Sequence, residues 1–320
     1  MGKLRLSTGV LAISGAMLAT GMFQSAHASC GATFCSVNTQ WETQGAWTEP
    51  GIRFNLRYEY TDQDQLRNGT DKVEPAGVLD THDEIRTLNR NLHVGMDYAF
   101  NPTWAVSLQV PVVNRDHSHV HNDVVPEYEA WNLTGLGDMR LSGRYQTVLD
   151  HHAAVGVQFG LKLPTGKIDE TNDLGQLAER SLQPGSGTTD ALLGVYTYRQ
   201  LEGDAATMFL QGLWQRPLTE RDDYQPGQQV TFDIGLRYAL TRNLNAQLQL
   251  NLLWKDHDQG LNAEPDDSGG HYVFLSPGAS YALTTHMQLY GFVQLPLYQY
   301  VNGTQLTADW SAVAGISWKM

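Results

Sequence analysis

From about Gly51 to the last residue, short stretches of this chain alternate apolar and polar side chains. Ile52, Phe54, Leu56, Tyr58 and Tyr60 open the series; Leu306, Ala308, Trp310, Ala312, Ala314, Ile316 and Trp318 close it. A period of two places each apolar set on one face of a β-strand. Twelve strands are predicted, over about 51–60, 86–98, 104–113, 133–147, 153–163, 189–199, 206–216, 229–240, 244–255, 271–283 and 287–299, with the twelfth ending the chain. The connections alternate in length. Asn101-Pro102-Thr103, Leu149-Asp150-His151, Leu201-Glu202-Gly203-Asp204, Thr241-Arg242-Asn243 and Thr284-Thr285-His286 are tight, while the connections between them are long and hydrophilic, Val301-Asn302-Gly303-Thr304 excepted. A soluble β-sandwich has no reason to sort its loops in this way. The pattern predicts an all-β fold, an antiparallel transmembrane β-barrel of about twelve strands over residues 51–320. Short turns face the periplasm in such barrels, which puts both termini there. Tyr58, Tyr98, Trp104, Tyr145, Trp254 and Tyr281 fall at strand ends, where amphipathic rings meet a membrane interface.

The same parity selects a lumen. Its charged set is Arg53, Arg57, His93, Asp97, Asp138, Arg140, Arg144, Lys162, Asp233, Arg237 and Asp309, beside a ladder of amides at Asn245, Gln247, Gln249 and Asn251. Charges of both signs either pair across a narrow tube and fix its shape or line a path and set selectivity. Twelve strands enclose less space than the ~16–18 of general porins. The sixth, seventh and tenth strands are apolar on both faces, with Leu192, Tyr196, Phe209, Tyr272 and Phe274, and the eleventh adds Tyr290 and Phe292. That wall suits hydrophobic or aromatic solutes; it equally suits packing against an N-terminal segment.

The N-terminus reads as a secretory signal peptide over 1–28: Lys3 and Arg5, an apolar stretch from Val10 to Phe23, then Ala26-His27-Ala28 as a cleavage site. Its removal takes Lys3 and Arg5 and no acidic residue, moving the net charge from −13 to −15. So acidic a protein is a poor partner for nucleic acid. Past the signal, no apolar run approaches the ~20 residues of a membrane helix, so the chain must span with strands closed into a barrel. Residues 29–50 read as a periplasmic N-terminal segment, open to being tucked into the barrel, with Cys30 and Cys35 spaced for a small disulfide loop in an oxidising compartment.

The sharpest local chemistry is Asp116-His117-Ser118-His119-Val120-His121-Asn122-Asp123. In an extended outer loop, alternate residues share a face, so His117, His119 and His121 are a candidate zinc or copper site. No other cofactor is indicated. The chain has no G-x-S-x-G, and no Ser–His pair stands on the lipid face, so an enzyme is disfavoured.

Three further stretches carry a resemblance. Gly135-Leu136-Gly137-Asp138-Met139-Arg140-Leu141 runs into Arg144-Tyr145; Gly160-Leu161-Lys162-Leu163-Pro164-Thr165-Gly166 follows; Leu182-Gln183-Pro184-Gly185-Ser186-Gly187-Thr188-Thr189-Asp190 precedes Leu193-Gly194. In this order they resemble the outer-membrane barrel family labelled as putative MetA-pathway (phenol degradation) proteins. The resemblance implies a porin-like channel in the cell outer membrane, tied in some members to uptake of aromatic compounds. The expected function is passive passage of small solutes; the alternative is a surface metal-binding barrel using the histidine loop. The expected partners are outer-membrane lipid, a small-molecule solute and the barrel-assembly machinery.

Overall fold

The computed structural model describes residues 37–46, 48–78, 82–201 and 205–320. The signal segment, Cys30 and Cys35 lie outside the described residues. Among the described residues no helix is long and apolar enough to cross a membrane, and regular structure consists of strands: β1 Gly51–Gly69, β2 Asp71–Lys72, β3 His82–Ala99, β4 Trp104–His121, β5 Glu127–Leu136, β6 Met139–Asp150, β7 Ala153–Leu163, β8 Asp190–Gln200, β9 Ala206–Pro217, β10 Gln229–Ala239, β11 Leu244–Lys255, β12 Gly270–Ala282 and β13 Met287–Lys319. One sheet holds them all in the order β13-β12-β11-β10-β9-β8-β7-β6-β4-β3-β1-β2, and pairing of β13 with β1 closes it into a barrel.

β13 is a hairpin. Residues 288–301 pair with β12 and residues 304–319 pair with β1, both antiparallel; Gly303 turns the chain at φ +56°. β5 and β6 share one position, β5 against the far part of β4 and β6 against its near part, with the break at Gly137-Asp138. Leaving out the two-residue β2, and counting β5 and β6 as one stave and the arms of β13 as two, gives twelve staves. The start of β1 and the C-terminus meet at the rim of short turns: Met320 N–H donates to the Ile52 carbonyl, and Lys319 Nζ lies 3.2 Å from Glu49.

The barrel is apolar outside and polar inside. Val106, Leu141, Phe159, Leu193, Phe232 and Leu248 stand exposed on the outer wall, whereas Gln249, Asn251, Ser276, Gln294 and Gln305 are fully buried within. Stacked rings seal the seam between first and last strands, Phe54 on Trp318 at 5.3 Å and Tyr60 on Trp310 at 5.4 Å. Trp104 meets Tyr145 at 4.8 Å on the rim of short turns.

Three sequence expectations need correction at the far rim. The strands expected to end near 60 and 113 run on to Gly69 and His121, and the stretch 133–147 is preceded by a paired strand from Glu127. Beyond the apolar band both faces of these strands are polar, so the two-residue period vanishes while backbone pairing continues. A wall of β1, β3, β4 and β5 therefore stands well past the ~9–11 residues a spanning strand needs. The connection 164–189 turns inward, burying Ala178 and Leu182 against Trp131 and Leu133.

The plugged lumen as candidate functional site

Residues 37–46 occupy the lumen near the rim of short turns. They carry no β-period; turns from Gln40 to Ala46 fold them compactly. Asn38 is the anchor. Its N–H donates to Gln249 Oε1 at 3.0 Å, its carbonyl accepts from Gln249 Nε2 at 2.8 Å, and its side-chain amide donates to Gln211 Oε1 at 2.7 Å and Asp233 Oδ2 at 3.2 Å. Thr43 Oγ1 donates to the same Gln211 oxygen at 2.7 Å. The amide ladder of the wall thus acts as a receptor for the backbone and side chains of the plug. Trp41 supplies the apolar contact: its ring packs edge-on to Tyr290 at 4.9 Å and stacks near Phe292 at 6.5 Å, and its indole N–H donates to Ser317 at 3.1 Å. Part of the aromatic wall is therefore a seat for this segment. Gly45 sits at φ +75° with the Tyr198 ring against it; a Cβ there would lie 2.4 Å from a ring carbon.

Charges cluster around the plug. Arg53 Nη1 donates to Asp97 Oδ1 at 3.2 Å, Arg144 lies 3.6 Å from the same oxygen, and Arg53 Nε lies 3.8 Å from Glu42 of the plug. Arg57 pairs with Glu59 at 2.8 Å and donates to Thr39 at 2.7 Å; His93 Nε2 reaches Glu59 at 3.0 Å. Asp233 also accepts from Asn251 at 2.8 Å, and Arg237 donates to Thr207 at 3.4 Å. A cavity of about 270 Å³ remains here, lined by Asn38, Glu42, Arg57, Asp97, Arg140 and Asp233 among others.

The three family-like stretches converge farther up. Lys162 Nζ lies 2.9 Å from Asp190 and 3.4 Å from Asp138, and it donates to Ser186 and, at 3.3 Å, to Thr188. Asp138 accepts from the N–H groups of Gly166 at 3.0 Å and Ser186 at 2.8 Å. Gln215 donates to Asp190 at 2.5 Å and accepts from Arg140 at 3.1 Å. Gly166 and Gly185 touch backbone to backbone, so a Cβ at Gly166 would lie 2.5 Å from the Gly185 Cα. This knot ties the inward connection 164–189 into the barrel. A second cavity, about 220 Å³, lies beside it, lined by Arg115, Asp138, Arg140, Lys162 and Arg180. Arg140 and Gln229 line both cavities and so stand at the constriction between them.

Two sequence-selected positions behave differently from expectation. Asp309 falls where the β1–β13 register slips between Thr61 and Gln63; its side chain is 55% exposed and pairs with Lys72 at 3.1 Å. The slip interrupts the parity that assigned it to the lumen row. The expected histidine loop is not a loop: His117 and His119 lie within β4, buried, while His121 is 46% exposed and lies 3.7 Å from Asp123. The three imidazoles do not converge on a surface loop, and the reading built on such a loop is corrected accordingly. Sequence reasoning missed Asn38 and Glu42, which sit in a turn without period; Glu84 was visible as one of the acidic residues able to join the histidines, but was placed in a loop because its strand was expected to begin later.

The family model described as "Putative MetA-pathway of phenol degradation" matches residues 61–308. No curated protein matches the sequence. Among solved structures, an outer membrane channel from Pseudomonas putida F1 superposes with a TM-score of 0.66 at 14% identity, the match covering 85% of this chain and 96% of that one. The NanC porin gives 0.49 at 11% identity, covering 83% and 100%. The CymD monoaromatic hydrocarbon channel gives 0.48 at 9% identity, covering 93% and 99%. The first of these likenesses is one of fold.

Proposed function

This chain belongs to the family described as "Putative MetA-pathway of phenol degradation", and from that premise we propose that it is an outer-membrane channel for the passive passage of small solutes. One observation carries the reading: a closed barrel with an apolar outer wall encloses a polar interior that holds two cavities. An apolar exterior of this extent is stable in lipid and a liability in water. In this orientation the rim of short turns and both termini face the periplasm, and the long connections face outward. The barrel-assembly machinery is the partner that would insert it.

The route runs past charges and amides, so it suits solutes small enough to thread the constriction at Arg140 and Gln229 and polar enough to exchange water for those groups. Aromatic compounds bearing a polar group are the favoured class, because Tyr272 and Phe274 lie beside Gln299 and Thr307 on the wall above the plug. The interior charges described above pair or hydrogen-bond among themselves, and the reading assigns no chemical step. The segment 37–46 is the gate. Reconstituted in planar bilayers, the intact protein is expected to show a small conductance that rises several-fold when residues 37–46 are deleted. A barrel that stays silent in both forms would overturn the channel reading; equal conductance in both would overturn the gate.

A further inference from the structure

The upper wall holds a cluster that a solute channel has no need of. Glu84 on β3 is paired in register with His119 on β4, and His117, two residues back on β4, shares the inward face. All three are at least 95% buried. One ligating atom from each lies within 4.8 Å of the other two. His117 Nε2 is 3.2 Å from His119 Nδ1 and 3.4 Å from Glu84 Oε2.

Those two separations have a meaning. Ligands bound tetrahedrally at ~2.0–2.1 Å, the usual metal–nitrogen and metal–oxygen distance for zinc, stand about 3.3 Å apart along each edge. The outer nitrogens are held as well. Thr87 Oγ1 lies 2.9 Å from His117 Nδ1, and Glu129 Oε2 lies 3.1 Å from His119 Nε2. Each contact fixes a ring so that its other nitrogen faces the cluster centre, the arrangement by which outer partners orient metal-bound histidines. Glu129 is itself held by the Gln176 side-chain amide at 2.6 Å. Trp131 covers the pair, its ring 5.8 Å from His117 and 5.0 Å from His119. Glu264 and Glu179 add further carboxyl groups to the neighbourhood of Glu84. A cavity of about 570 Å³, lined by His117, Glu129, Trp131 and Asp116, supplies an approach.

We propose that Glu84, His117 and His119 form a buried site for one divalent transition-metal ion of the zinc class. Two imidazoles and one carboxylate match zinc chemistry and leave a tetrahedral position for water. Bound there, the ion ties β3 to β4 beneath the inward connection 164–189. The site stands apart from the plug, and it does not depend on conduction.

Isothermal titration of the purified, metal-stripped barrel in detergent tests it, with zinc chloride as the probe and cobalt and copper(II) chlorides run in parallel. The expected result is one equivalent of zinc bound by the intact protein. His117→Ala and His119→Ala should abolish that binding, and Glu84→Gln should weaken it at least about tenfold. His121→Ala should leave it unchanged. Circular dichroism and heat-dependent gel mobility confirm that each variant has formed the barrel; should an alanine variant fail to form, Glu84→Gln and Thr87→Val carry the test, each expected to weaken binding. Absence of a one-equivalent transition with any of the three metals overturns the proposal, as does equal loss of binding in His121→Ala.

Discussion

The lumen is narrowed twice, by two different kinds of chemistry. Near the rim of short turns, the plug is held chiefly by amides around Asn38, Gln211 and Gln249 and by the ring of Trp41, with single contacts from Asp233 and Arg57. Near the far rim, the inward connection is held by buried charges, Lys162 between Asp138 and Asp190. A neutral hydrogen bond contributes only ~0.5–1.5 kcal/mol net, because water offers the same partners. Amide contacts can therefore be exchanged for hydration one at a time, at modest cost for each. A buried charge stripped of its partner costs ~3–5 kcal/mol. The plug is built to be released and the inward connection to stay.

The largest break in this contrast is Lys162→Met. It leaves Asp138 and Asp190 facing each other without their cation, and urea unfolding in lipid vesicles should register a loss of ~3–5 kcal/mol. Adding Asp138→Asn and Asp190→Asn should recover most of it. An unchanged unfolding midpoint in the single variant would mean that the knot does not hold the barrel. Trp41→Ala comes next. Truncating a buried tryptophan costs ~3 kcal/mol or more, and here that loss falls on docking of the plug rather than on the barrel. Conductance should rise while the unfolding midpoint of the barrel stays within error; a drop in midpoint with no change in conductance would reverse the assignment. Gly45→Ala is smaller, ~1–3 kcal/mol, from a left-handed backbone and the Tyr198 ring against the new methyl. It should open the channel part of the way, to a conductance between the intact protein and Trp41→Ala.

The plug and the inward connection also differ in how far the sequence betrays them. The wall was legible because each spanning strand repeats one rule, and the ranges expected at 153–163 and 244–255 coincide with β7 and β11. Lys162 and Asp138 could be picked out from the same parity, and the family-like stretches around them turn out to be the parts of a single knot. Asn38, Trp41 and Glu42 follow no period. The places of Asn38 and Trp41 depend on pairing with residues about 170–280 positions away, a relation no local pattern encodes. His117 and His119 were visible as a motif, but their partner was read as His121 because the strand was taken to end at 113. Its continuation aligns Glu84 instead.

The smallest predicted effect tests whether the plug answers to its surroundings. Burial, with the Asp97 carboxylate on β3 adding to it, raises Glu42 from about 4.5 to about 7, against the opposing pull of Arg144 on β6 and Arg53 on β1. A carboxyl with a raised pKa in the docked state binds more protons docked than released. Docking is therefore strongest below about pH 4.5, weakens as pH rises from about 4.5 to about 7, and is constant above that. Channel open probability should rise across this window. Glu42→Gln should hold the plug at its acid-side occupancy and flatten the profile. Recordings at pH 5, 6, 7 and 8 decide it: a slope that survives in Glu42→Gln would place the titrating group elsewhere in the lumen, and a conductance that falls with pH would show that the ionised carboxylate docks better than the neutral one, held by Arg53 and Arg144.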